Sequence, residues 1–420
     1  MQNVLFSRGF QIYDYQQMFD SIDLQQAISD LFDAGFADDA LELVYKANAE
    51  IYMAMNTPSG LSEPQNITNI VLQGDTWGSL LASVQVDSIA KECLGAGHGY
   101  LYKNILPVSM LGLVDDTIGV TEAGYKAQQM NAYFNVKTAE KSLQFGPNKC
   151  KTMLIGKDTK NVLNSKLSVD NWKVEHEDNK ETGDNDLVET YSGQIDIEAT
   201  DQQKYLGFVI SNKNNNMANI NEVKKKSIGI IQQIFNRLNS LKLQRYYFEC
   251  ALIFMNVMLR PSILYACECY YNLKETEIRQ IERIEEGFLR QLFKTTSGCP
   301  LTQMYLESGQ YPARFAIMKS RLLFLKYILD ENDESLINKF VKLQLQQPTR
   351  GDWLSTCIEN ITFLNVKADL DDIKRMKKNQ FKSLINVKIR ISAFKYLLDK
   401  RGSKGKEIKY TDIEMSEYLW

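Results

Sequence analysis

This sequence predicts an α+β fold whose sheet-bearing first half gives way to an all-helical second half, and two observations carry that reading. Short strand-like segments alternate with amphipathic helices up to Ser211, and from Ile220 onward long amphipathic helices dominate. The chain has 420 residues, which at roughly 150 residues per domain suggests about two or three domains.

The opening VLFSRGFQIYD mixes apolar and aromatic residues and reads as a strand up to Asp14. Asp20–Phe36 and Asp38–Asn56 carry apolar residues at helical spacing, with Asp38 and Asp39 as N-terminal caps of the second helix. After the turn Thr57-Pro58-Ser59-Gly60, Ile67–Leu72 reads as a strand, and Gln73-Gly74-Asp75 opens a helix to Cys93. Ile105–Val120 reads as two short strands around a turn that holds Asp115-Asp116; adjacent carboxylates rarely interrupt an apolar hairpin. Glu122–Phe145 predicts a helix and Lys151–Gly156 a strand. The polar stretch Asp158–Thr200 predicts an exposed hairpin with its tip near Glu177–Asp186, and Lys204–Ser211 predicts a strand. Helices follow at Val223–Leu241, Tyr246–Met258 and Glu275–Phe293. A further helical region beyond Pro300 ends in a basic stretch with Lys374, Arg375, Lys377, Lys378, Lys382, Lys388 and Arg390.

Composition excludes several classes. With 49 Lys and Arg against 52 Asp and Glu, the net charge is −3, so a uniformly basic nucleic-acid coat is ruled out while a locally basic groove is not. Seven scattered cysteines and two histidines, His98 and His176, form no four-ligand zinc pattern and read as reduced thiols of an intracellular protein. The N-terminus lacks a signal-peptide pattern. Apolar runs such as Met110–Val114 fall short of the roughly 20 residues that span a bilayer. The expected location is the cytoplasm or nucleus, without membrane association.

The chemistry lies in an ordered set of motifs. Asp14 ends a strand, Gln73-Gly74-Asp75 precedes a helix, Asp115-Asp116 tips a hairpin, and Asn148-Lys149-Cys150-Lys151-Thr152 precedes a strand, with Tyr205-Leu206-Gly207 later. Carboxylates on neighbouring strands, Asp14 and Asp115 with Asp116 beside them, make a platform for hard divalent ions. Such ions take one or two carboxylates plus phosphate oxygens, and clustered acids call for a compensating cation.

This order resembles the reverse transcriptases of non-LTR, LINE-type retrotransposons. DYQQMFDSID from Asp14 is similar to their first catalytic motif, D-x-x-K-A-F-D then S-V-D. QGDTWGSLLA from Gln73 is similar to Q-G-D-P-L-S-P-L-L-F, LVDD from Leu113 to Y-A-D-D, and Asn148–Thr152 to N-x-x-K-T, with a YLG at Tyr205–Gly207. The helical stretches MLRPSILYACECYYNL and IRQIERIEEGFLRQLF look like the thumb and downstream region.

The resemblance implies a polymerase palm, an antiparallel sheet packed on helices, at 1–212. It implies a helical thumb at 213–300 and a helical C-terminal region at 301–420, with the fingers largely missing. It implies RNA-directed DNA synthesis from an RNA template, a DNA primer and deoxynucleoside triphosphates, with two Mg²⁺ ions for which Mn²⁺ can substitute. Asp14, Asp115 and Asp116 are the implied metal ligands. The Tyr15 carbonyl and Phe19 would meet the nucleotide, Phe19 against the sugar C2′; Gln73 and Gly74 would meet the nucleotide and template pair. Lys151 would give a proton to pyrophosphate or at least act as a counter-charge, Tyr205, Leu206 and Gly207 would grip the primer, and Lys224, Lys225 and Lys226 would neutralise phosphates. The chain departs from the family at Gln17 for Lys, Met18 for Ala, Thr76-Trp77-Gly78 for Pro-Leu-Ser and Leu113-Val114 for Tyr-Ala. A platform without the triphosphate clamp of the fingers is expected to polymerise weakly or undetectably. The alternative is a non-catalytic remnant that binds nucleic acid.

Overall fold

The computed structural model describes residues 8–15, 18–49, 51–67, 76–122, 125–155, 167–178, 185–213, 215–241, 246–270, 272–295 and 298–402. They divide into two units, the first reaching Gly207 and taking in Ser211–Asn214, the second made of Phe208–Ile210 and the residues from Asn215 on. The first is α+β and the second helical.

In chain order the first unit runs β1 (Arg8–Tyr13), α1 (Met18–Ser21), α2 (Leu24–Asp33), α3 (Asp38–Ala49), β2 (Ile51–Met53), β3 (Asn56–Thr57), β4 (Gly60–Leu61), β5 (Gln65–Ile67) and α4 (Thr76–Gly95). Next come β6 (Tyr100–Tyr102), β7 (Leu106–Val108), β8 (Met110–Leu113), β9 (Asp116–Glu122), α5 (Tyr125–Glu140), β10 (Lys151–Ile155), β11 (Ser168–Asp178), β12 (Asn185–Asp196), β13 (Glu198–Ala199) and β14 (Gln202–Tyr205). Five strands make the main sheet in the order β13-β10-β1-β9-β8. All neighbours are antiparallel except β10 and β13.

The first strand is therefore the middle one. Its alternate residues face opposite ways. Gln11 and Tyr13 point at α5, where the Gln11 amide donates to the Ala127 carbonyl at 3.0 Å, the Tyr13 hydroxyl lies 2.8 Å from Asn131 Oδ1, and the Tyr13 ring meets Phe134 at 4.6 Å. Asn131 and Asn135 in turn donate to the Ser168 carbonyl at the start of β11. Tyr13, Leu81, Ile89, Met130 and Phe134 form the fully buried core of this side. A buried ion pair, Lys141 Nζ to the two oxygens of Asp30 at 2.8 and 3.0 Å, ties α2 to the chain after α5.

Several elements differ from the sequence reading. The helix expected at Asp20–Phe36 is two helices, because Asp23 caps a new start by accepting from the Gln26 N–H. The next helix stops at Ala49, and the β-rich residues after it pair as β2 with β5 and β3 with β4. Glu122 belongs to a strand because it lies opposite Arg8 at the end of the β1–β9 ladder. The expected Lys204–Ser211 strand is interrupted where Leu206 and Gly207 both take positive φ, 46° and 81°. Of the Ile67–Leu72 strand only Ile67 is among the described residues, and the middle of the Glu177–Asp186 tip lies outside them.

The second unit starts with β15 (Phe208–Ser211), whose last residue groups with the first unit, and continues as α6 (Met217–Ser240), α7 (Tyr247–Phe254), a π-helical turn at Met255–Leu259, α8 (Arg260–Ile263), α9 (Glu275–Leu292), α10 (Leu301–Ser308), α11 (Ala313–Asp330), α12 (Leu336–Gln346), α13 (Trp353–Phe363), α14 (Leu370–Arg375) and α15 (Lys378–Gly402). Spacing explains the packing: Ile281, Ile284, Phe288 and Leu292 make one stripe of α9, and Phe381, Ile385, Ile389, Ala393 and Leu397 one stripe of α15, all buried. Several charged residues inside the unit are paired, with Arg260 Nε 2.9 Å from Glu285 and Arg314 bridging Glu282 and Glu275. Among the described residues no helix is long and apolar enough to cross a membrane.

Candidate active site at the end of the central strand

Asp14 is the first residue beyond β1. The ladder to β9 ends at Tyr13 opposite Thr117, and the ladder to β10 ends at Ile12 opposite Lys151. Continued one residue past its end, the first register brings Asp14 level with Asp116, while on the other side Lys149 lies in the turn that leads into β10. The Asp14 backbone is fixed there: its carbonyl accepts from the Gly146 N–H at 2.8 Å and from Cys150 Sγ at 3.8 Å. Tyr15 follows with a bridge to Phe145 and its ring stacked on Phe145 at 5.3 Å.

The paired aspartates sit on the neighbouring hairpin. Leu113 opposite Asp116 is the last pair of β8 and β9, which leaves Val114 and Asp115 as a two-residue loop. Val114 has φ 57°, a conformation that suits Gly at the first loop position and strains a β-branched residue. The turn holds Asp115 exposed and Asp116 half-buried. Gly112 lets this hairpin lie against α4, since a Cβ there would stand 2.9 Å from Val86 Cγ1. The Tyr205 hydroxyl lies 3.3 Å from the Asp116 carbonyl and 3.5 Å from that of Leu111, a tether from β14 to both strands of the hairpin.

Asp116 feels both of the other acids. Burial first, then the charges of Asp115 and Asp14, hold the Asp116 carboxyl above the usual carboxylate range. Lys149 Nζ lies 3.0 Å from Asp14 Oδ1. Its hydrogen bond to Asp14 and then the Asp14 charge hold the ammonium above the usual lysine range, and Asp115 adds to the effect.

The structure thus gathers Asp14, Asp115, Asp116 and Tyr205, and it adds Lys149, which the motif pattern did not single out. Lys151, two residues further, pairs with Glu198 on β13. Tyr15 is buried by its ring, and Phe19 is half-buried on α1 against the core. Leu206 and Gly207 form the turn after β14. Lys224, Lys225 and Lys226 are exposed on α6 in the second unit, with Lys225 2.9 Å from Glu222. Gln73 and Gly74 lie outside the described residues. The missed residue could have been found by counting back from Lys151 in an antiparallel pair with β1, had the pairing been known.

Among the described residues no group of three or more His, Cys, Asp or Glu side chains is arranged to hold a metal ion. A hard divalent ion such as Mg²⁺ does not require one, because it keeps waters and takes one or two carboxylates together with substrate phosphates. Asp14, Asp115 and Asp116 offer oxygen donors of that hard kind, but the three are not arranged as a ready-made site.

No family model matches the chain, and no curated protein matches it. Similar solved structures include telomerase from Candida albicans (13% identity, TM-score 0.30, covering 80% of this chain and 49% of that one) and telomerase from Candida tropicalis (11% identity, TM-score 0.35, covering 100% of this chain and 50% of that one), each in complex with a TWJ fragment of telomeric RNA. The chain spans about half the length of these structures. A likeness this shallow identifies neither family nor activity.

Proposed function

We propose that this chain carries the catalytic palm of an RNA-directed DNA polymerase of the non-LTR, LINE type, with palm at 1–212, thumb at 213–300 and a helical C-terminal region at 301–420. The single observation behind it is the register that sets Asp14 level with Asp116, in one electrostatic field with Asp115. Its reaction is in-line attack of a primer 3′-hydroxyl on the α-phosphate of a deoxynucleoside triphosphate, with an RNA template setting the base.

Asp14, Asp115 and Asp116 are the residues that would hold Mg²⁺, which when bound supplies charge stabilisation at the transferring phosphate and activation of the attacking oxygen. Residues of the chain do the positioning. The Val114–Asp115 loop presents Asp115 to solvent, and Tyr205 fixes the backbone of the hairpin through the Asp116 carbonyl. Lys149 screens Asp14 from its like-charged neighbours. In this reading Phe19, five residues beyond Asp14 and packed in part against the core, would be the residue that meets the sugar.

Primer extension on an RNA template with deoxynucleotides and Mg²⁺ tests the reading. Wild type should extend weakly, as a palm without the triphosphate clamp of the fingers would, and Asp115→Asn should abolish that Mg²⁺-dependent extension while binding the same heteroduplex unchanged. Binding without extension in the wild type would instead support a non-catalytic nucleic-acid-binding protein. The Lys149–Asp14 ion pair favours that second reading, since an ammonium already compensates one carboxylate.

A further inference from the structure

Between α3 and α4 the chain forms a hairpin that the catalytic reading does not use. β2 pairs with β5 through Ile51 opposite Ile67, Tyr52 opposite Asn66 and Met53 opposite Gln65, and β3 pairs with β4 through Asn56 opposite Leu61 and Thr57 opposite Gly60. At the tip the Thr57 hydroxyl donates to the Gly60 carbonyl at 2.7 Å. Ser62 fastens the Met55 backbone, its Oγ accepting from the Met55 N–H and its N–H donating to the Met55 carbonyl, each at 2.9 Å. Yet no residue from Tyr52 to Gln65 is buried. Tyr52 is 63% exposed, Met53 41% and Met55 69%. Tyr52 and Met53 point to opposite faces of the strand, so both faces are open there. Among the described residues neither β2 nor β5 has a second strand beside it.

The two open edges are not alike. Exposed strand edges in folded proteins are commonly guarded by charge or proline. The β5 side has both, Glu63 and Pro64 directly before Gln65. The β2 side runs Ile51-Tyr52-Met53-Ala54-Met55, with no charge, no proline and no glycine, a composition that favours strand pairing. Charge also narrows the occupant. No Lys, Arg or His occurs between Lys46 and Lys91, so this stretch offers a phosphate backbone no cation. A protein strand fits instead. Twofold pairing of the edge with itself sets the same residues against one another, and like charges placed opposite would oppose it. Residues 51–55 carry none.

We propose that β2 is a dimerisation edge at which two copies of this chain pair antiparallel about Tyr52. Tyr52 then lies opposite its own counterpart, an aromatic cross-strand pair, and Ile51 lies opposite the second copy's Met53. A two-stranded ribbon, marginal by itself, becomes a four-stranded sheet. Its outer edges are both β5, guarded by Glu63 and Pro64, so growth stops at the dimer. The proposal needs nothing from the polymerase reading.

Sedimentation equilibrium of the full chain tests it. Wild type should show a concentration-dependent equilibrium between monomer and dimer. Tyr52→Lys and Tyr52→Glu should each raise the dimer dissociation constant about tenfold, because each loses the aromatic pair and sets like charges face to face. An equimolar mixture of the two should recover the dimer, since opposite charges then meet across the axis, and melting curves confirm that both variants fold. Leu61→Lys, on the far strand of the same hairpin, should leave the wild-type constant unchanged. A wild type that stays monomeric would overturn the proposal. So would a mixture of folded variants no more dimeric than its components, a Leu61→Lys as weak as the Tyr52 variants, or growth past the dimer.

Discussion

The ammonium of Lys149 and the carboxylate of Asp14 meet at 3.0 Å, just beyond the end of the β1–β10 ladder. A divalent ion at Asp14 therefore competes with an ammonium already there. Lys149→Met is expected to lower the Mg²⁺ concentration at which primer extension is half-maximal, and to enlarge the rise in melting temperature that Mg²⁺ produces. A titration of both quantities in the two proteins checks it; a higher Mg²⁺ requirement in the variant would assign Lys149 to the triphosphate instead.

Burial, and then the charges of Asp115 and Asp14, disfavour the ionised Asp116 carboxyl. In chelator-containing buffer at neutral pH, Asp116→Asn should melt higher than wild type. Added Mg²⁺ should narrow the gap, because only the wild type gains a ligand. Differential scanning calorimetry measures both.

The Val114 turn stores backbone strain of about 1–3 kcal/mol. Asparagine tolerates a positive φ better than valine does, so Val114→Asn should stabilise the chain by about 1 kcal/mol net of the apolar contact it loses. Val114→Ile should give no gain. Urea denaturation of the three proteins separates these outcomes.

Tyr205→Phe removes the hydroxyl bond to the hairpin that carries Asp115 and Asp116 and leaves the ring in place. The expected cost is about 1 kcal/mol, with faster amide exchange in β8 and β9 as the local signature.

The Asp30–Lys141 pair is almost wholly buried, with side chains 3% and 7% exposed. Lys141→Met alone should cost about 3–5 kcal/mol by stranding a carboxylate, whereas Asp30→Leu/Lys141→Met should recover most of it. Denaturation by urea, followed in the full chain, gives both values.

What the sequence disclosed follows the range of the forces involved. The strand ending at Asp14, the Asp-bearing hairpin and the helices of the second unit are written in local periodicity and turn residues. The break at Ile22-Asp23 and the early stop at Ala49 are not, because a cap and a strand pairing outweighed continuous helical spacing there. The position of Lys149 depends on two ladders joining segments more than a hundred residues apart, and nothing in a five-residue motif tells Lys149 from Lys151 in advance.

The middle position of β1 in its sheet has an evolutionary corollary. Hydrogen-bonded on both edges, that strand has only two settings of its side chains, so an insertion or deletion of one residue within it would swing the acid at its end from the open face to the helix-covered one. A residue gained or lost between Arg8 and Tyr13 should therefore part Asp14 from Asp116 in one step, whereas a substitution there leaves the register in place.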